Sequence, residues 1–283
     1  MGNAATLLSG RASDQPVAAD ELEAKRVLLL LAQGFEDAEA AAVLDVLGWT
    51  KYRPSVATVD VDVAGVRPHV AGAFGLAFDV AVDVRGCGGD DGVPEDLGTL
   101  RADAADAAGA AADGAAGAGL APADAIADGV AAADVAAAGA PEDSDTLLAD
   151  AIACDYDALV IPGGFHNLGF DEAYGSDFRA LARAFSQAGK PIATMCVGVL
   201  PVAEAGVLRG GRATTYTMSS RHDNAGRLRE LGCEFVDEPV VESRGVISCA
   251  GPAYSEQVAA LLLERVAGPE AAAEVMRYRS SGR

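Results

Sequence analysis

The sequence predicts an α/β fold, a mostly parallel sheet with helices on both faces. Three observations carry this expectation. Short, continuously apolar segments such as residues 25–31 (KRVLLLL) read as strands buried on both sides, not as the alternating strands of a half-exposed sheet. Segments with helical periodicity separate them. Glycine-bearing turns close one segment after another.

Taken in order, residues 25–31 form a buried strand, and the turn Gly34-Phe35-Glu36-Asp37-Ala38-Glu39 leads into a helix running to Leu47. Residues 55–63 alternate like a strand. Residues 65–84 hold one or two more short strands, with a turn near Gly72 and Gly75. Residues 155–164 (DYDALVIPGG) are a strand entering a Pro-Gly-Gly loop. Residues 178–188 are helical, and residues 191–195 (PIATM) are a strand ending at Cys196. A helix is expected over 197–208, closed by Gly210 and Gly211, and it tolerates Pro201 because a first-turn N–H has no helical partner to lose. Residues 212–217 read as a short strand, 227–231 as a helix end, 236–241 with 245–249 as a hairpin, and 255–266 as an amphipathic helix that 270–277 extends.

One stretch does not fit this rhythm. Within residues 101–140, 22 of 40 are Ala, 6 are Asp and 6 are Gly, so almost no large apolar side chain is present to dock a helix on a core. The domain organisation expected is a tail at 1–24 and a single α/β domain over 25–283, interrupted by an Ala/Asp/Gly-rich insertion at about 86–145. No chemistry is assigned to the insertion.

The formal net charge is −21, and residues 86–150 supply −13 of it, from 14 acidic residues against Arg101. So acidic a chain lacks the clustered Lys and Arg that phosphate backbones require, and no nucleic-acid partner is expected. No apolar run approaches the length of a membrane span, so no membrane partner is expected either. Five cysteines without C-x-x-C spacing suggest neither a disulfide framework nor a zinc site. Reduced thiols in the cytoplasm, with no metal and no cofactor, are the expectation.

The candidate chemistry gathers on three loops, each at the carboxyl end of an expected parallel strand, which is where open α/β sheets bind ligands. Cys196 stands at a strand-to-helix corner. Helix N-terminal N–H groups there favour a thiolate, so the expected thiol pKa is lowered. Two readings of Cys196 stand side by side: a nucleophilic or redox-active thiolate, and a small buried hydrophobe. Glu39 or Glu36 offers a carboxyl group as proton partner, although acidic residues there also stabilise a helix start. Backbone N–H groups of Gly163, Gly164 and Val197 are candidates for an oxyanion hole. His166, two residues beyond Gly164, is a candidate base or an exposed loop residue. His222 lies in a polar loop within reach of the mouth of the site, while His69 has no evident role.

These segments together, residues 25–30 followed by Gly34-Phe35-Glu36-Asp37-Ala38-Glu39, then YDALVIPGG at 156–164, then Ala193-Thr194-Met195-Cys196-Val197-Gly198, and Gly251-Pro252 after a strand, resemble the ThiJ/PfpI family. The resemblance implies the flavodoxin-like, class I glutamine amidotransferase-like fold, with Cys196 at a strained nucleophile elbow. It implies that Glu39 hydrogen-bonds the cysteine sulfur, that Glu36 supports it, and that the chain is a homodimer. Family branches that carry a histidine directly after the cysteine differ from this chain, which has Val197. In another branch a histidine lies about twenty residues on, where this chain offers Tyr216, a poor base near neutral pH. The implied activity is that of a cysteine-dependent hydrolase or lyase acting on a small electrophile, an α-oxoaldehyde or isonitrile. The alternative is a redox sensor or stress-protective protein working through oxidation of Cys196.

Overall fold

The structure, a computed structural model of the chain, describes residues 22–88 and 144–280. The tail expected at 1–24 and the insertion expected at about 86–145 lie almost wholly outside the described residues.

β1 (Lys25–Leu30) is an interior strand of a seven-stranded sheet. β2 (Val59–Gly65) pairs parallel to it on one side, and β5 (Val82–Asp83) follows outside β2. On the other side come β6 (Ala158–Ile161) and β7 (Ile192–Met195), then β11 (Val246–Cys249), all parallel, and the antiparallel edge strand β10 (Val240–Ser243). Two short pairs stand outside this sheet: β3 (His69–Ala71) with β4 (Ala77–Asp79), antiparallel, and β8 (Arg212–Ala213) with β9 (Glu234–Phe235), parallel.

The apolar run of β1 explains its interior place. Successive side chains point to opposite faces, so Leu28 and Leu30 enter one core while Val27 and Leu29 enter the other. All four are fully buried, each worth about 1.5–3 kcal/mol relative to exposure. Helices α1 (Asp37–Gly48), α6 (Ser255–Ala267) and α7 (Pro269–Ser280) cover the Val27 face. The opposite face is covered by α2 (Ser144–Asp155), α3 (Ser176–Gln187), α4 (Val199–Glu204) and α5 (Asn224–Glu230).

Several expected bounds change. The helix after Cys196 spans only Val199–Glu204, preceded by a 3₁₀ turn over Cys196–Gly198, and the chain unwinds at Gly206 (φ +81°). The strand expected at 212–217 shrinks to β8, because Thr214 and Thr215 turn their bonds to Ser248 and to the Cys196 carbonyl instead of to a strand neighbour. The hairpin lies at β10 and β11, with no strand over 236–239. The C-terminal helix is two helices, broken at Gly268 (φ +94°), a left-handed conformation that suits glycine.

The site is placed by topology. The chain runs from β1 outward to β2, then returns to β6 on the opposite side of β1, so the connections after β1 and β6 lead to helices on opposite faces, α1 and α3, and the site lies at the carboxyl ends of these two strands. β7 delivers Cys196 to the same edge.

Candidate functional site

Two backbone hydrogen bonds lock the first two loops together. Glu36 N–H donates to Gly163 O at 2.9 Å, and Phe165 N–H donates to Gly34 O at 2.9 Å. Gly34 sits at φ +73°, and a Cβ there would lie 2.7 Å from the Leu168 Cβ. Glycine is therefore required both by conformation and by space. Asp37 pins the β3–β4 hairpin over the loops, accepting from Phe74 N at 3.0 Å and Leu76 N at 2.7 Å.

Cys196 has φ +53°. The other non-glycine residue with positive φ among the described residues is Arg244, which forms the tight β10–β11 turn with Gly245. No hairpin explains Cys196. Its conformation is held from outside, by the Thr215 hydroxyl donating to the Cys196 carbonyl at 3.0 Å and by the close approach of Gly198 and Gly163. A Cβ on Gly198 would stand 2.4 Å from the Ile161 carbonyl oxygen, and one on Gly163 would stand 2.6 Å from the Cys196 Cβ.

Glu39 is completely buried beneath the elbow, and its Oε2 accepts the Gly163 N–H at 2.6 Å. Its Oε1 is buried with no hydrogen-bond partner among the described residues. Burial pushes this carboxyl up to about 8, against the opposing pull of the Gly163 N–H, and the nearby Glu36 charge adds to the rise. At neutral pH the neutral form therefore prevails. Glu36 caps α1 by accepting the Glu39 N–H at 2.8 Å, and burial raises its carboxyl as well.

The expectation of a lowered thiol pKa is corrected. Burial pushes the Cys196 thiol up, and a charged Glu39 would push it further, while the Val197 N–H pulls the other way. A helix of one and a half turns supplies too little dipole to offset burial. The Gly163 N–H, expected as an oxyanion donor, is instead given to Glu39. Val197 N–H faces the sulfur, and the Gly164 N–H has no acceptor among the described residues, so these two donors remain.

A cavity of about 620 Å³ opens above the elbow. Cys196, Val197, Gly164, Glu36, His166, Tyr216 and His222 all line it, whereas Glu39 and Gly163 lie below its floor. His166 is more than a loop residue. Its Nδ1 lies 2.6 Å from Asp171 Oδ1, its ring stacks on Tyr174 with centroids 5.6 Å apart, and the His222 ring stands 4.8 Å away. His69 pairs with Asp79 on the exposed β3–β4 hairpin, far from this chemistry.

Reading the sequence missed Asp171, Tyr174 and Arg221. Tyr174 is buried with an unpartnered hydroxyl, and burial first, then the charges of Glu204 and Asp171, push its phenol up. No local motif marks these residues: Asp171 and Tyr174 share the turn Phe170–Tyr174, with Tyr174 buried behind the His166 ring, and Arg221 reaches the cavity from the loop after β8. Cys249, paired in register with Met195, is also near the elbow, and burial and Glu39 raise its thiol to about 12. None of the five cysteines is in a disulfide. Among the described residues no cluster of His, Cys, Asp and Glu has the makings of a metal site, and no helix is long and apolar enough to cross a membrane.

The chain is similar to known proteins in family and in fold. A family model described as the DJ-1/PfpI family matches residues 127–265. General stress protein 18 of Bacillus subtilis is 32% identical over 124 residues, covering 42% of this chain and 67% of its own length. The deglycase PfpI of Pyrococcus furiosus is 34% identical over 100 residues, covering 35% of this chain and 55% of its own. The Schizosaccharomyces pombe DJ-1 structure superposes with a TM-score of 0.57 at 18% identity, covering 91% of this chain and 99% of that one, a likeness of fold. The chain spans about three fifths of the length of the first curated relatives it matches.

Proposed function

The chain belongs to the DJ-1/PfpI family, and from that membership we propose that it is a cysteine-dependent hydrolase or lyase acting on a small electrophile, of the α-oxoaldehyde or isonitrile kind. The observation that carries this reading is the left-handed Cys196, held at φ +53° on the floor of a cavity with a neutral, buried Glu39 beneath it. A strained nucleophile is retained only where the surrounding structure overdetermines it. The name deglycase, borne by a relative, is consistent with such chemistry.

In this reading the Cys196 sulfur attacks the electrophilic carbon. The carbonyl π bond opens as the S–C bond forms, and the developing oxyanion meets the N–H groups of Val197 and Gly164. The thiol proton has two acceptors within the site. The Glu39 carboxyl takes it in the minor fraction of molecules where it is ionised at neutral pH, and the His166 imidazole, oriented by Asp171, takes it or returns a proton to the product. Because burial keeps the free thiol protonated, sulfur becomes nucleophilic when substrate excludes water and the proton moves, not as a standing thiolate.

Replacing Cys196 with Ser should abolish turnover of a panel of small carbonyl and isonitrile substrates. A variant with full activity would end the reading. One observation favours the redox alternative. Neutral Glu39 has an unpartnered, buried oxygen that, as O–H, can donate to an oxidised sulfur. Under that alternative, graded peroxide oxidises Cys196 before any other thiol, as mass spectrometry would read, and no substrate is turned over.

A further inference from the structure

Two of the three histidines in the chain line the Cys196 cavity, and Arg221 lines it with them. In a protein of net charge −21, arginines readily find carboxylates. Arg26 holds Asp62, Arg53 holds Glu274, and Arg265 holds Glu242. Arg221 is different. Its guanidinium makes no ion pair or hydrogen bond among the described residues, and only its backbone N–H is engaged, donating to Ser219 Oγ at 3.3 Å.

The acidic groups around it are already committed. Asp223 caps α5, with Oδ1 accepting the Gly226 N–H at 2.8 Å. Asp171 is turned to His166 Nδ1 at 2.6 Å, and Glu36 caps α1. The basic groups, by contrast, converge. The His166 and His222 rings touch at 4.8 Å, and one His166 nitrogen is fixed on Asp171, so its other ring nitrogen remains for a cavity ligand. Two imidazoles and a guanidinium lining one cavity offer it N–H donors, which suit an anionic ligand.

Resting on the reading of Cys196 as the nucleophile, we propose that its electrophile carries a carboxylate, bound at the cavity mouth by Arg221, His222 and His166 while the reactive carbon lies at the thiol. The substrate class is then a small carbonyl compound bearing a carboxylate, of a size that a cavity of about 620 Å³ accepts. A planar guanidinium suits a carboxylate through two parallel N–H···O bonds.

The test needs no natural substrate. The full chain is alkylated with iodoacetate and, separately, with iodoacetamide, and modification of Cys196 is followed by peptide mass spectrometry. The ratio of the two rates is compared with the same ratio for free cysteine. The site should favour iodoacetate over that reference by about threefold or more, the scale expected of a partly exposed charge pair. Arg221→Gln should lower the iodoacetate rate several-fold more than the iodoacetamide rate. A wild-type ratio no greater than that of free cysteine, or a ratio unmoved by Arg221→Gln, would overturn the carboxylate site alone. Failure of both reagents to modify Cys196 in the folded chain would remove the nucleophile reading, and this proposal with it.

Discussion

Glu39→Gln isolates the cost of burying a carboxyl group under the elbow. The folded-state value of about 8 lies above the ordinary 4.5, so folding favours the protonated acid. The sign follows directly: the contribution is fully present below about 4.5 and is lost as pH rises through about 8. At 1.36 kcal/mol per pH unit, that interval corresponds to a loss on the order of 5 kcal/mol, of which about 3 kcal/mol falls between pH 5 and pH 8. Glutamine keeps an oxygen for the Gly163 N–H and cannot ionise, so the variant escapes this loss. Urea unfolding at pH 5 and pH 8, read from the single tryptophan, Trp49, gives the stabilities of both proteins. Groups common to both, such as Glu36 and Cys196, largely cancel in the comparison. The variant should gain about 3 kcal/mol on wild type in going from pH 5 to pH 8. A difference between the two proteins that stays constant within about 1 kcal/mol would refute the burial of a neutral carboxyl at Glu39.

Two further substitutions probe the elbow. Cys196→Gly should be more stable than Cys196→Ala by about 1 kcal/mol in urea unfolding, reversing the usual order, because φ +53° penalises a Cβ; an alanine variant equal to or above glycine would show that the backbone there is not strained. Gly163→Ala places a Cβ 2.6 Å from the Cys196 Cβ and should cost about 2 kcal/mol or more while slowing iodoacetamide modification of Cys196; unchanged stability and reactivity would mean the loops give way freely.

The doubly covered strand at 25–30 and the corner at Cys196 were legible because each is local. A run such as Val27-Leu28-Leu29-Leu30 has no side on which to face water, which makes a doubly covered strand the available solution. The loop by itself left Glu39 and Glu36 open, and the family resemblance singled out Glu39. Its protonation state was not, since a raised carboxyl depends on burial by residues distant in sequence, and the same holds for Cys196, whose corner alone suggested the opposite direction. The early helix stop after Glu204 was missed because the chain unwinds at Gly206 (φ +81°), and the short β8 was missed because Thr214 and Thr215 bond across to Ser248 and the Cys196 carbonyl.

By itself, then, the sequence determined an α/β sheet, the loops that end its strands and a cysteine at one of them, because periodicity and turn chemistry act over a few residues. Only the tertiary structure decided what surrounds that sulfur. Asp171 orienting His166, the His222 ring against it, Arg221 without a carboxylate and the Gly163 N–H turned to Glu39 are all products of loops meeting across the crevice beside β1. Electrostatics and desolvation are set by such neighbours in space, and no spacing along the chain encodes them.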